Sequence, residues 1–174
     1  MKMNLKKILG DGLKTFICLI VACFVGYFIS NGVFGLIASS TSNSRLVIQL
    51  FNFIPFFLIM LTVLFVFCCR VEYKREQFSL GESCISSAIA CAFQLLFAVL
   101  VVYAIYTCGP ALSLAKIIYA GNDTNAVISD TDIPGHLYVI CMVILDIFYI
   151  AVSVLGGYVG QKKREKERSS TLKS

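Results

Sequence analysis

Charge is what this chain has least of. Asp, Glu, Lys and Arg make up 14% of its 174 residues, against about 25% in soluble domains. That shortage, beside a hydrophobic fraction of 58%, excludes an ordinary water-soluble globule. There is no Trp, and Pro occurs three times. One His and no CxxC pair leave no ligand set for a metal. No GxSxG, HExxH or P-loop pattern is present, and the charged segments are too short to fold into a catalytic domain. The chain therefore reads as non-enzymatic, with no cofactor. The net charge of +5 sits in blocks rather than in a basic face, which speaks against a nucleic-acid partner.

Between the blocks lie four long runs, residues 15–44, 46–69, 83–115 and 133–161. Three carry no charge and the last carries only Asp146. A bilayer core of roughly 30 Å needs about 20 apolar residues of helix, and each run is long enough. In lipid every backbone N–H and C=O has to be satisfied within the fold, which leaves helices or closed barrels. Runs this long and continuous exclude barrel strands. The expectation is an all-α polytopic integral membrane protein, a helical bundle with the lipid bilayer as solvent. Its four transmembrane helices fall at about 13–38, 46–69, 84–108 and 135–160 and form two antiparallel hairpins. The first run is too long for the 7–15-residue core of a signal peptide, so it reads as an uncleaved helix.

Thirteen of the fifteen Lys and Arg residues fall in three places. These are the N-terminus (Lys2, Lys6, Lys7, Lys14), the 70–82 connector (Arg70, Lys74, Arg75) and the tail (Lys162, Lys163, Arg164, Lys166, Arg168, Lys173). The other connectors hold only Arg45 and Lys116. By the positive-inside rule both termini and the 70–82 connector are cytoplasmic. An even number of spans agrees. Small size and minimal loops suggest the inner (plasma) membrane of a bacterium.

Residues 1–12 read as a short interfacial lead-in ending near Gly10-Asp11-Gly12, and 13–160 as the transmembrane domain. Ser39–Ser44 is a polar turn, and Pro55 should kink the second helix. The connector after it reads as solvated. Gly109-Pro110 should break the third helix. Residues 111–120 are then expected to lie in the interface with Leu112, Ala115 and Ile118 toward lipid; the alternative is that they continue the third helix past a kink. Residues 121–135 form an acidic outer loop. The basic tail 161–174 is expected to be disordered beyond its first turn, with anionic lipid headgroups as its partners. Most of the eight Cys residues are small membrane-compatible side chains; Cys108 and Cys141 are the one pair considered for a disulfide.

Asp146 is the residue that asks for an explanation. A central Asp costs roughly 2.5–3.5 kcal/mol on insertion scales, which the surrounding Leu, Ile, Val and Phe offset. The acid must then face protein or water, not lipid. Its expected neighbours are Tyr149 and Gln94, the latter at matching depth on the third helix and expected to donate a hydrogen bond to it. Small residues mark the seams where backbones approach closely. They are Ala22, Gly26 and Ser30 on the first helix, Ser87 and Cys91 on the third, and Ser153, Gly156, Gly157 and Gly160 on the fourth. The third- and fourth-helix seams are expected to meet. Asn52 is expected to bridge helices. The favoured function is an assembly or interaction component of a membrane complex or a homo-oligomer. The alternative is a small transporter or channel subunit that uses Asp146 for proton or cation coupling.

Overall fold

The computed structural model describes residues 5–34, 36–37, 40, 45–74, 79–100, 110–121 and 132–171. The described residues are almost wholly helical and contain no strand. The order is α1 (Leu5–Ile29), a five-residue π-helical turn (Ser30–Phe34), α2 (Arg45–Tyr73), α3 (Leu80–Leu100), α4 (Pro110–Ala120) and α5 (Gly135–Thr171). Three helical segments are long and apolar enough to cross a membrane: Leu5–Phe34, Val47–Tyr73 and Gly135–Ser170. α3 has 21 residues, of which 97–100 are described in backbone only. All of the expected Ser39–Ser44 turn except Ser40, the break before Pro110 and most of the 121–135 loop lie outside the described residues.

Local chemistry explains the helix ends. Ser79 caps α3: its Oγ accepts from the Glu82 N–H at 3.4 Å. Ser-x-x-Glu at this point is a capping box that satisfies otherwise orphaned donors. Pro110 opens α4, where its missing N–H costs nothing. Gly121 closes it with a φ of 55°, the left-handed conformation that favours glycine at a helix C-terminus. α2 continues through Pro55 without interruption.

Two boundaries and one helix face differ from the sequence reading. α1 starts at Leu5, ahead of the expected start at about 13, and Ile8 is buried, which draws this turn into the protein. α5 continues to Thr171, so the tail is helical where disorder was expected. Lys, Glu and Arg are good helix formers, and Lys163 and Glu167 form an i, i+4 pair of opposite charge. In α4, Leu112 is 3% and Ala115 0% exposed while Ile118 is 50% exposed. Only Ile118 of the three expected lipid-facing residues is therefore turned outward; the other two pack into the protein.

The chain divides into two compact units, residues 1–19, 61–94 and 147–174, and residues 20–60 and 95–146. In the first, α1 and α3 run parallel: Lys7 pairs with Glu82 at 3.6 Å, Gly12 packs on Ser86 and Ile89, and the Phe16 and Phe93 rings lie 5.8 Å apart. α2 and α5 also run parallel, with Gly156 on Phe65 and Gly160 on Cys69. In the second unit, α1 and α2 run antiparallel, with Gly26 against Phe56 and the Ser30 hydroxyl donating to the Asn52 carbonyl.

Large apolar side chains cover the outside. Leu13, Ile17, Val21, Phe24 and Phe28 form one exposed stripe on α1, and Val139, Val143, Ile147 and Leu155 are exposed on α5. Apolar exposure on this scale is an aggregation liability in water and the natural surface of a helix solvated by lipid.

The glycine contacts generate a prediction. A Cβ at Gly156 would stand 2.7 Å from the Phe65 carbonyl oxygen, and one at Gly160 would strike the Cys69 carbonyl. These are backbone atoms, which have no rotamer to change. Gly156→Ala and Gly160→Ala should each destabilise the protein by about 1–3 kcal/mol, read by thermal or denaturant unfolding in detergent. At Gly10 a methyl group would meet nothing within 4 Å. Gly10→Ala should therefore be tolerated and gain up to about 1 kcal/mol of helix propensity.

Candidate functional site

The charged ends of four helices belong to the first unit, and its core there is polar. Thr15, Glu72, Ser83, Ser86, Ser87 and Gln161 are all buried. Glu72 is 5% exposed, although its segment reads as solvated in the sequence. The cause is packing: α2 continues past its apolar run to Tyr73, and Glu72 turns inward there among α1 and α3. A cavity of about 20 Å³ lies between Asp11, Lys14 and Thr15 of α1, Phe67, Cys68, Val71 and Glu72 of α2, and Ser83, Ser86 and Ser87 of α3. That volume holds about one water.

Several of these groups bond to main chain. Thr15 Oγ1 donates to the Asp11 carbonyl at 2.9 Å, Ser86 Oγ to the Ser83 carbonyl at 3.2 Å, and Ser153 Oγ to the Tyr149 carbonyl at 2.8 Å. Such back-bonds satisfy hydroxyls within one helix. Lys14 lies 3.7 Å from Asp11. Gln161 is different: its Nε2 donates to the Glu72 carbonyl at 2.7 Å and so ties α5 to α2. Beyond it, the Tyr73 hydroxyl donates to a Glu167 carboxylate oxygen, and the Lys163 Nζ stands 5.9 Å from the centre of the Tyr73 ring.

The residues singled out in the sequence are distributed over both units. Ala22, Gly26 and Ser30 are buried in the second, and Ser87, Cys91, Ser153, Gly156, Gly157 and Gly160 in the first. Gly156 and Gly160 of the last helix lie against α2, at Phe65 and Cys69. Seam composition marks a close-packing face but carries no label for its partner. Asn52 does join two helices, but through its backbone carbonyl; its Oδ1 is buried with no hydrogen-bond partner among the described residues. Gln49 Oε1 and Gln94 Oε1 are in the same condition. Asp146 is 6% and Tyr149 1% exposed. Asp146 belongs to the second unit, Gln94 and Tyr149 to the first. Cys141 is a free thiol, and Cys108 lies outside the described residues. Among the described residues no group of three His, Cys, Asp or Glu side chains is placed to hold a metal.

Glu72, Asp11, Thr15 and Gln161 carry no signal in the sequence reading. The signal available was periodicity: Cys68, Val71 and Glu72 lie at i, i+3 and i+4, one helical face. Replacing Gln161 by Leu should cost about 1–3 kcal/mol, because the buried Glu72 carbonyl loses its donor. Replacing the exposed neighbour Lys162 by Leu should change stability by less than about 0.5 kcal/mol. Paired unfolding curves in detergent check both. The chain matches no protein-family model, no curated protein and no solved structure.

Proposed function

We propose that the chain is a four-span integral membrane protein of a bacterial inner membrane, with both termini cytoplasmic, which acts without catalysis as an assembly component of a homo-oligomer or larger membrane complex. The supporting observation is how its polar residues are used. In the first unit they back-bond to their own helices or tie α2 to α5, around a cavity of about 20 Å³. Such an arrangement fixes helix ends against each other. The parallel α1/α3 and α2/α5 contacts bring the basic ends of α1, α2 and α5 into one unit. That arrangement supports a common cytoplasmic side.

A second reading, a small transporter or channel subunit, is favoured by Asp146. An acid buried to 6% exposure on a helix of otherwise apolar character is the usual mark of proton or cation coupling.

Purification from native membranes with identification of the co-purifying chains tests the first reading. The expected result is a stoichiometric partner or one defined oligomer, unchanged by Asp146→Asn. A monomer whose liposomes carry a proton or cation flux that Asp146→Asn abolishes would transfer the assignment to the second.

A further inference from the structure

At the ends of α2 and α5 a second, larger hollow opens outward. It has a volume of about 350 Å³ and is lined by Cys69, Arg70, Tyr73, Lys74 and Lys163. Three of its five lining residues are cations: Arg70 of α2, Lys74 just after it, and Lys163 of α5. All belong to the first unit.

The position along each helix is informative. Residues 46–69 carry no charge, and Arg70 is the first charge after them. Arg70 and Tyr73 stand at i and i+3, on one face of α2, and Lys74 follows the last helical residue. On α5 the run from Ile147 to Gln161 carries no charge, and Lys162 and Lys163 end it. Both helices thus deliver cations to the hollow at the level where their apolar surface stops. Cys69, the last residue of the α2 run, forms the apolar side of the wall.

The hollow is held open by specific contacts rather than by chance placement of long side chains. Gly160 lets α5 touch the Cys69 backbone. Gln161 bonds the Glu72 carbonyl at 2.7 Å, and Tyr73 bonds Glu167. Lys163 lies over the Tyr73 ring. Glu167 is the one acid in direct contact with a lining residue among these bonds, and its carboxylate is engaged by the Tyr73 hydroxyl. Arg164, next to Lys163, keeps its Nη1 buried without a hydrogen-bond acceptor among the described residues. The charge surplus of the hollow is positive, and its occupant should be an anion with an apolar extension.

We infer that this cleft is a binding site for the phosphate headgroup of an anionic phospholipid, with Arg70, Lys74 and Lys163 as the cationic receptors. The phosphodiester sits among the three cations, and the acyl chains leave along the uncharged side of α2 beside Cys69. A volume of about 350 Å³ falls in the range of small-ligand sites, and basic pockets between helix ends are suited to such headgroups. The inference rests on the proposed bilayer embedding. It differs from general attraction of the tail in naming a cleft in which two of the three cations, Arg70 of α2 and Lys74 just after it, lie outside the tail.

Native mass spectrometry of the purified full chain with equimolar phosphatidylglycerol and phosphatidylcholine tests it. Wild type should retain phosphatidylglycerol in preference to phosphatidylcholine. Lys163→Gln should lower that preference roughly fivefold, the factor for about 1 kcal/mol per cation. The triple variant Arg70→Gln, Lys74→Gln, Lys163→Gln should bring it close to unity. The charge-matched variant Lys166→Gln, Arg168→Gln, Lys173→Gln should keep it. Equal loss in both triple variants would show diffuse attraction and overturn the cleft. So would an unchanged preference in the cleft variant, or displacement of the lipid by millimolar inorganic phosphate. If the cleft triple variant does not fold, Lys163→Gln against Lys166→Gln decides by the same ratio. Alkaline carbonate extraction of wild-type membranes stands apart: release of the chain would sink the bilayer reading, whereas retention without lipid preference sinks only the cleft.

Discussion

Close backbone approach at glycine is the contact on which the rest of this structure depends. At Gly156 and Gly160 the neighbouring carbonyls of Phe65 and Cys69 occupy space that a β-carbon would need. At Gly12 and Gly26 the same is true of Ile89, Ser86 and Phe56 side-chain and backbone atoms. Apolar side chains gain little from one another when the surrounding solvent is itself hydrocarbon, so dispersion and polar contacts at short range have to hold helices together. A missing methyl group supplies that range. It also sets register, because a glycine admits a partner at one height only.

Register then decides the chemistry at the helix ends. With Gly160 seated on Cys69, Gln161 reaches the Glu72 carbonyl and Glu167 reaches Tyr73. The same seating brings Lys163 beside Arg70 and Lys74. The polar core of the first unit follows in parallel from Gly12, which lets α1 approach the serine-bearing face of α3. Thr15, Ser86 and Gln161 there donate to main-chain carbonyls, which avoids the cost of an unmade hydrogen bond.

Some of this was legible from residues alone and some was not. The helical segments could be read because a period-free apolar run has one stable form in hydrocarbon. Pro110 could be read as a break because it acts within a few residues of itself, whereas the start of α3 was placed at about 84 and lies at Leu80, capped by Ser79. The seam residues Ala22, Gly26, Ser30, Ser87, Cys91, Ser153, Gly156, Gly157 and Gly160 could be picked out as small positions at helical spacing. Their partners could not: Gly156 and Gly160 lie against α2, at Phe65 and Cys69. Glu72 was assigned to water because charge in a connector usually is solvated, and its burial depends on three helices converging. Leu112 and Ala115 were assigned to lipid by the amphipathic pattern of one helix, which identifies an apolar face without saying whether lipid or protein covers it.

Composition and charge order thus determined, unaided, that the chain is helical, where its apolar segments lie and which connectors are basic, since these depend on transfer energies that add residue by residue along the chain. The tertiary structure alone decided which seam meets which helix, that the basic tail continues as helix against Tyr73, that Glu72 is enclosed, and that Arg70, Lys74 and Lys163 share one cleft. Those are relations between residues dozens of positions apart. They are set by where two backbones fit closest, and that fit is a property of surfaces in three dimensions which no local pattern of side chains encodes.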